Sequence, residues 1–175
     1  MPSLVTERLR LVPVTLEAIE AVLDHDKERA EALVGAKFPP QWPNDDLVAL
    51  GFPYSREALR ADPERRLWGD SLALLRDEPR VVGSVVFHGY PGDGIAEVAY
   101  SVEECSRRQG LAIEATRACV EWALQQDGIH AVQATTFPWH VASLGVIKRL
   151  GMVHVDTREH DTLGELLVFE RRRGT

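Results

Sequence analysis

Ile95-Ala-Glu-Val-Ala-Tyr-Ser-Val102, then Glu103-Glu-Cys-Ser-Arg-Arg-Gln-Gly-Leu-Ala112, then a long apolar run, then His130-Ala-Val-Gln-Ala-Thr-Thr-Phe137: this stretch decides the fold. It reads as strand, short basic loop with one glycine, helix, strand. Two such strands belong in one sheet, joined by a right-handed helical crossover. The helix expected from about Gln109 to Gln126 has a narrow polar stripe of Glu114, Arg117, Glu121 and Gln125. A helix that is apolar around most of its circumference is mostly buried. Asp127-Gly128 closes it.

The loop carries the chemistry. Arg107-Arg108-Gln109-Gly110-Leu111-Ala112 sits at the mouth of that helix. The first turn of a helix leaves backbone N–H groups without partners, and the helix dipole adds partial positive charge there, so an anion is welcome. Gly110 has no Cβ and lets a phosphate approach the backbone. The same residues also fit a ligand-free capping box, Ser106-x-x-Gln109. Neither GxxxxGK[ST] nor GxGxxG occurs, so nucleotide P-loops and dinucleotide fingerprints are excluded.

Outward from this core, Glu7 to Val14 alternates apolar and charged residues and reads as a strand. Thr15 is a good N-cap, with Glu17 in the first turn of a helix expected to run to about Leu33 and to end at Gly35. Phe38 to Pro53 is rich in proline and aromatic residues, and Phe38 and Trp42 are candidate acceptor-binding residues there. Their other reading is a structural lid. Ser55 is expected to cap a short helix through about Arg60. Arg66–Arg76, Arg80–Phe87 and the Ile95 strand form an antiparallel meander, with turns at Asp77-Glu78-Pro79 and Pro91-Gly92-Asp93-Gly94. A helix from about Val141 to Leu150 and strands at Met152–His160 and Glu165–Arg172 complete the chain.

With 175 residues, 45% apolar and 27% charged, the chain fits one domain, residues 1–175. A net charge of −7 weighs against nucleic acid and anionic membranes as partners. No apolar run approaches membrane-spanning length, and Met1–Arg8 lacks the apolar block of a signal peptide, so a cytoplasmic protein is expected. Two cysteines without ligand spacing make metal and disulfide readings poor. Cys119 should be core. Cys105, beside the basic loop, is a minor candidate nucleophile.

In order along the chain, these motifs resemble the GNAT family of N-acetyltransferases, and within it the RimJ/RimL-type group that acetylates ribosomal-protein N-termini. Thr6-Glu7-Arg8-Leu9-Arg10-Leu11 resembles the group's opening, and Val81-Val82-Gly83-Ser84-Val85 its second hairpin strand. Ala96-Glu97-Val98-Ala99-Tyr100 is similar to its central strand, Arg107–Ala112 to its acetyl-CoA pyrophosphate loop, and Ala142-Ser143-Leu144 through Met152 to its second motif. The implied fold is α/β (α+β in some schemes): a mixed, mainly antiparallel seven-stranded sheet with a central β-α-β crossover and helices on both faces. The implied reaction is direct acetyl transfer from acetyl-CoA to a primary amine.

The resemblance also assigns residues. The loop residues Arg107, Arg108, Gln109, Gly110, Leu111 and Ala112 would hold the pyrophosphate, the backbone of Tyr100 and Val102 would face the pantetheine, and a homodimer would be in keeping with the group. The family's asparagine and tyrosine positions are His140 and Ile147 here. Ser143 and His140 are therefore the candidates to contact the cofactor and to protonate the thiolate. Glu97, mid-strand, is the candidate base, with burial expected to raise its pKa. Expected acceptors are a peptide N-terminal α-amine or, alternatively, a small-molecule amine such as an antibiotic, polyamine or amino acid. An acyl-CoA-binding module without turnover is the competing class.

Overall fold

The computed structural model describes residues 2–40, 42–43, 45, 47–88 and 90–174, with the side chains of 65–67 left aside. Gln41, Asn44 and Asp46 of the proline-rich segment lie outside the described residues. The chain order is β1 (Leu4–Val5), β2 (Leu9–Pro13), α1 (Leu16–Leu23), α2 (Lys27–Val34), α3 (Phe52–Ala61), β3 (Asp70–Leu75), β4 (Val81–Phe87), β5 (Ile95–Val102), α4 (Leu111–Gln125), β6 (Ala131–Thr136), α5 (Val141–Arg149), β7 (Val153–His160) and β8 (Gly164–Arg172). The strands form one sheet in the order β1-β2-β3-β4-β5-β6-β8-β7. Every neighbouring pair is antiparallel except β5–β6, which is parallel and joined through α4. The sheet has eight strands rather than seven. The extra one is the two-residue β1, folded back on β2 with Leu4 opposite Leu11, too short to show as alternation in the sequence.

Alternation along the strands sends residues to two cores. On one face, Leu9, Leu11, Ala73, Val85, Ala96, Val98 and Val132 pack against Leu111, Ala115, Cys119, Val120 and Ala123 of α4 and Ile147 of α5. On the other, Leu72 and Leu74 pack against Ala18, Ile19 and Ala21 of α1, Ala30 and Val34 of α2, and Phe52 and Leu59 of α3. Cys119 is fully buried, and burial pushes its thiol pKa up to about 12. It is a core residue and not a nucleophile.

Local chemistry moves several boundaries from their expected places. The helix begun by Thr15, whose side chain accepts from the Ala18 N–H at 3.3 Å, stops at Leu23. His25 turns to φ 60°, and Asp26 caps a second helix by accepting from the Arg29 N–H at 3.1 Å. Asp-His-Asp thus splits one expected helix into α1 and α2. Ser55 is not an N-cap: α3 begins at Phe52 with proline in its first turn, and the Ser55 hydroxyl instead donates to Asp70 Oδ2. The strand expected from Arg66 starts only at Asp70, because Pro63–Trp68 coil into a 3-10 helix capped by Asp62, which accepts from the Glu64 N–H at 3.1 Å.

Gly83 of β4 lies opposite Val102 of β5, and a Cβ placed on it would stand 2.2 Å from the Ser101 carbonyl oxygen. The two backbones meet where only glycine fits. We expect Gly83→Ala to destabilise the fold by about 2 kcal/mol, as overpacking does. For a chain of this size that is roughly 4–8 °C in Tm, read by thermal denaturation. An unchanged Tm would mean that β4 and β5 part at no cost.

Candidate functional site

The site begins where two strands stop pairing. β5 and β6 are in register at Ile95–Ala131, Ala96–Val132 and Glu97–Gln133, and no further. Beyond Glu97, β5 pairs only with β4, from Phe87–Val98 to Gly83–Val102, while Ala134–Thr136 of β6 pair only with β8. The facing edges of Val98–Val102 and Ala134–Thr136 therefore border a gap. Unpaired strand edges offer backbone N–H and C=O groups to an extended ligand.

At the far end of this gap the chain turns into α4. Glu103 organises the turn: its carboxylate accepts from the Cys105 N–H at 3.2 Å and the Ser106 hydroxyl at 2.8 Å, and it pairs with the Arg80 guanidinium. Cys105 itself is exposed. With Ser106 engaged by Glu103, and Gln109 donating to the Cys105 carbonyl at 3.3 Å, the capping box does not form. α4 starts after Gly110 at φ +79°, with no side-chain cap. Arg108 is also left-handed, at φ 59°. The first helical bond returns from Glu114 to Gly110, which leaves the amides of Leu111, Ala112 and Ile113 without helical acceptors. Two positive-φ residues ahead of an uncapped helix make a cradle of N–H groups for an anion. A pyrophosphate fits this cradle, and a pantetheine arm fits the gap leading to it.

The opening strand holds the loop from behind. Glu114 accepts from the Thr6 hydroxyl at 2.5 Å, the Arg8 N–H at 2.8 Å and Arg8 Nε at 2.7 Å, while Arg8 Nη1 donates to the Gln109 carbonyl at 2.9 Å. Partial burial works to raise the Glu114 pKa, but the hydrogen bonds from Thr6 and Arg8 and the Arg8 charge prevail and lower it. A neutralised carboxylate next to the cradle does not repel an incoming phosphate.

The two faces of the gap carry different groups. On the α4/α5 face, the Tyr100 hydroxyl lies 2.9 Å from Ser143 Oγ and donates to the Ser143 carbonyl at 3.2 Å. Burial raises the Tyr100 pKa. His140 is the N-terminal flank of α5, exposed and stacked on Trp139 at 5.9 Å. Ile147 is buried in the core, so the helix offers no hydroxyl there.

On the other face, Glu97 accepts from the Thr135 hydroxyl at 3.3 Å and lies 3.6 Å from His88 Nδ1. The expected rise in the Glu97 pKa is not found. His88 lowers it, burial opposes, and Thr135 and the Arg158 charge add to the lowering. Half-exposed and paired, Glu97 stays ionised.

Beside this pair lies a cavity of about 560 Å³, walled by Val14, Ile19, Leu59, Trp68 and Val86 and carrying Tyr54, Ser55, Asp70 and His88 as its polar groups. None of these four was a candidate site residue in the sequence, where Ser55 was expected only as a helix cap. Phe38 and Trp42, expected to contact the acceptor, do not line it. They pack edge-to-face at 4.5 Å with Phe52 next in line, inside the α1–α3 core. Trp42 and Phe38 border a separate recess of about 370 Å³ with His25 and Lys27. Among the described residues no cluster of side chains could hold a metal ion, and no helix is long and apolar enough to cross a membrane.

A parallel pair that splays, an uncapped helix behind it and a basic glycine loop define a cleft for a long, pyrophosphate-bearing cofactor. Comparison with known proteins gives the family. Residues 8–153 match the model of the acetyltransferase (GNAT) domain. An uncharacterised N-acetyltransferase of Bacillus subtilis, YjdG, is 26% identical over 154 residues, 87% of this chain and 90% of the relative. Similar solved structures include the ribosomal-protein-S5-alanine acetyltransferase of Vibrio fischeri (TM-score 0.73, 13% identity, covering 99% of this chain and 98% of the other). They also include RimL, the ribosomal L7/L12 α-N-protein acetyltransferase in complex with coenzyme A (TM-score 0.68, 14% identity, covering 97% and 96%). The chain belongs to the GNAT family: it is an N-acetyltransferase, and acetyl-CoA is its donor.

Acetyl-CoA at 100 times its Kd should stabilise the protein by about 2.7 kcal/mol. That is roughly 5–11 °C in Tm for a chain of this length. Gly110→Glu, which strains a φ of +79° and puts a carboxylate in the cradle, should abolish the ligand-induced shift. A variant that keeps the full shift would remove the loop from the cofactor site.

Proposed function

We propose that the acetyl group goes directly to the α-amine at the N-terminus of a peptide or protein. The observation that carries this reading is the ionised Glu97, held by Thr135 and His88 at the point where β5 leaves β6. At neutral pH about a tenth of an α-amine of pKa near 8 is free base, against less than a thousandth of a lysine amine at 10.4. A half-exposed carboxylate–imidazole pair suits the first task and is a poor base for the second. The likeness to RimL and to the S5-alanine enzyme, which is a likeness of fold, points the same way.

In this reading the amides of Arg108, Gln109, Gly110, Leu111 and Ala112 hold the pyrophosphate, with Arg107 beside them. The unpaired edge from Tyr100 to Val102 would meet the pantetheine amides, and His140, at the start of α5, would contact the cofactor. Bound acetyl-CoA supplies an activated thioester carbonyl, and a backbone N–H at the splay would stabilise charge on its oxygen. Glu97, paired with His88, is the carboxylate that supports removal of the amine's proton. Ser143, bonded to Tyr100, is the proton donor for the thiolate in place of the hydroxyl that Ile147 lacks.

A small-molecule amine is the second reading, favoured by the enclosed cavity of about 560 Å³, a size usual for small-ligand sites. CoA release measured with free-N-terminus peptides against the same peptides blocked at the α-amine separates the two readings. Turnover restricted to small amines would overturn the peptide assignment, and no CoA release with any amine tried would return the chain to a binding role. Glu97→Gln should lower kcat about 100-fold, the scale of general-base catalysis, without altering acetyl-CoA affinity. Unchanged turnover would exclude Glu97 from the chemistry.

A further inference from the structure

His88 follows the last residue of β4, and its N–H donates to the Glu97 carbonyl at 3.2 Å, which sets the two residues side by side across the sheet. The imidazole turns Nδ1 toward Glu97 Oε2 at 3.6 Å, an ion-pair distance. His88 lines the cavity, and Glu97 does not. His88 therefore belongs both to the cavity, with Asp70 and Ser55, and to the pair with Glu97, which Thr135 joins where β5 and β6 part. An acceptor seated in the cavity with its amine toward the gap meets His88 before Glu97.

Resting on the acetyl-transfer reading above, we propose that His88 is the residue that takes the proton from the acceptor amine, and that Glu97 acts through it by holding Nδ1 protonated and Nε2 free. The chemistry favours the ring over the carboxylate. An ordinary imidazole, pKa about 6.5, holds an amine's proton roughly a hundredfold better than an ordinary carboxylate near 4.3. The charged and titratable groups around the ring act together. Glu97 from β5 is the largest influence and raises the His88 pKa, burial opposes it, and Asp70 from β3 raises it further. Burial raises the Asp70 pKa, against the Ser55 hydrogen bond and the His88 charge, and Tyr54 and Ser55 of α3 face the same space. Arg158 of β7 acts on Glu97 from the far side.

The step balances. The ammonium gives one proton to His88 Nε2 and becomes a nucleophile. Its nitrogen forms the C–N bond as the thioester C–S bond breaks. The second amine proton ends on the thiolate through Ser143, and the imidazolium returns its proton to water.

The test uses wild type, His88→Gln and Glu97→Gln with acetyl-CoA and hexapeptides bearing free N-terminal Ala, Ser, Met or Phe. Protonated His88 cannot act as a base, so wild-type kcat should fall as pH drops through a pKa above 6.5. His88→Gln should lower kcat 100-fold or more and remove that limb, while acetyl-CoA still raises Tm as in wild type. In Glu97→Gln the limb should move to lower pH. NMR titration of the ligand-free protein gives a readout independent of turnover: the imidazole signal absent from His88→Gln should titrate above 6.5 in wild type and lower in Glu97→Gln. If His88→Gln keeps both rate and limb, or its signal titrates at or below 6.5, His88 is only a surface partner of Glu97 and the proposal falls. If wild type acetylates none of the peptides, the peptide-acceptor reading falls first and this proposal with it.

Discussion

The site depends on a hydrogen-bond ladder that ends early. Buried or ligand-facing backbone groups must be matched, and in a sheet the neighbouring strand normally does so. Here the parallel seam between β5 and β6 holds for three residue pairs and then opens. Each strand is secured on its outer side, β5 by β4 and β6 by β8, so the opening does not unravel the sheet. Gly83 contributes by letting β4 ride close against Ser101 and Val102, the part of β5 that borders the opening.

A second constraint fixes the loop at the end of the opening. Two acidic residues act as local anchors, Glu103 from inside the turn and Glu114 from the first turn of α4, and each is matched by arginine. The anchors are drawn from distant parts of the chain: Arg80 begins the β4 hairpin, while Thr6 and Arg8 precede β2. The loop is thus positioned largely by side-chain hydrogen bonds, while the amides of Leu111, Ala112 and Ile113 at the start of α4 stay without helical acceptors.

Much of this was legible in the sequence, and for physical reasons. Alternation in Ile95–Val102 and the broad apolar face of Leu111–Gln125 reflect burial, which composition records directly. Glycine before an uncapped helix, with arginines beside it, records the backbone conformation and charge that an anion site needs. The boundary at His25 was not legible, because capping by Asp26 competes with an otherwise helical pattern. Phe38 and Trp42 looked like ligand contacts because aromatic residues in a proline-rich segment serve cores and sites equally, and here they serve a core. Of the candidate site, the glycine turn ahead of α4 and the strand position of Glu97 were readable. The pKa of Glu97 was not, since its shift depends on His88, nine residues away in sequence and adjacent only once β4 and β5 pair. The cavity escaped for the same reason: Ser55, Asp70 and His88 are unremarkable singly and meet only in the fold.

The short seam also divides the molecule mechanically. The β6–β8–β7 portion joins the rest of the sheet by three paired rungs and by helix packing. Opening of such a seam needs few bonds broken, so slow breathing should concentrate there and not within the antiparallel meander. An extended ligand lodged between the diverging strands acts as a replacement strand and locks the two parts together. Hydrogen exchange at Ala134–Thr136 and Val98–Val102 would then report whether a ligand occupies the gap, and the same rigidity would delay its release.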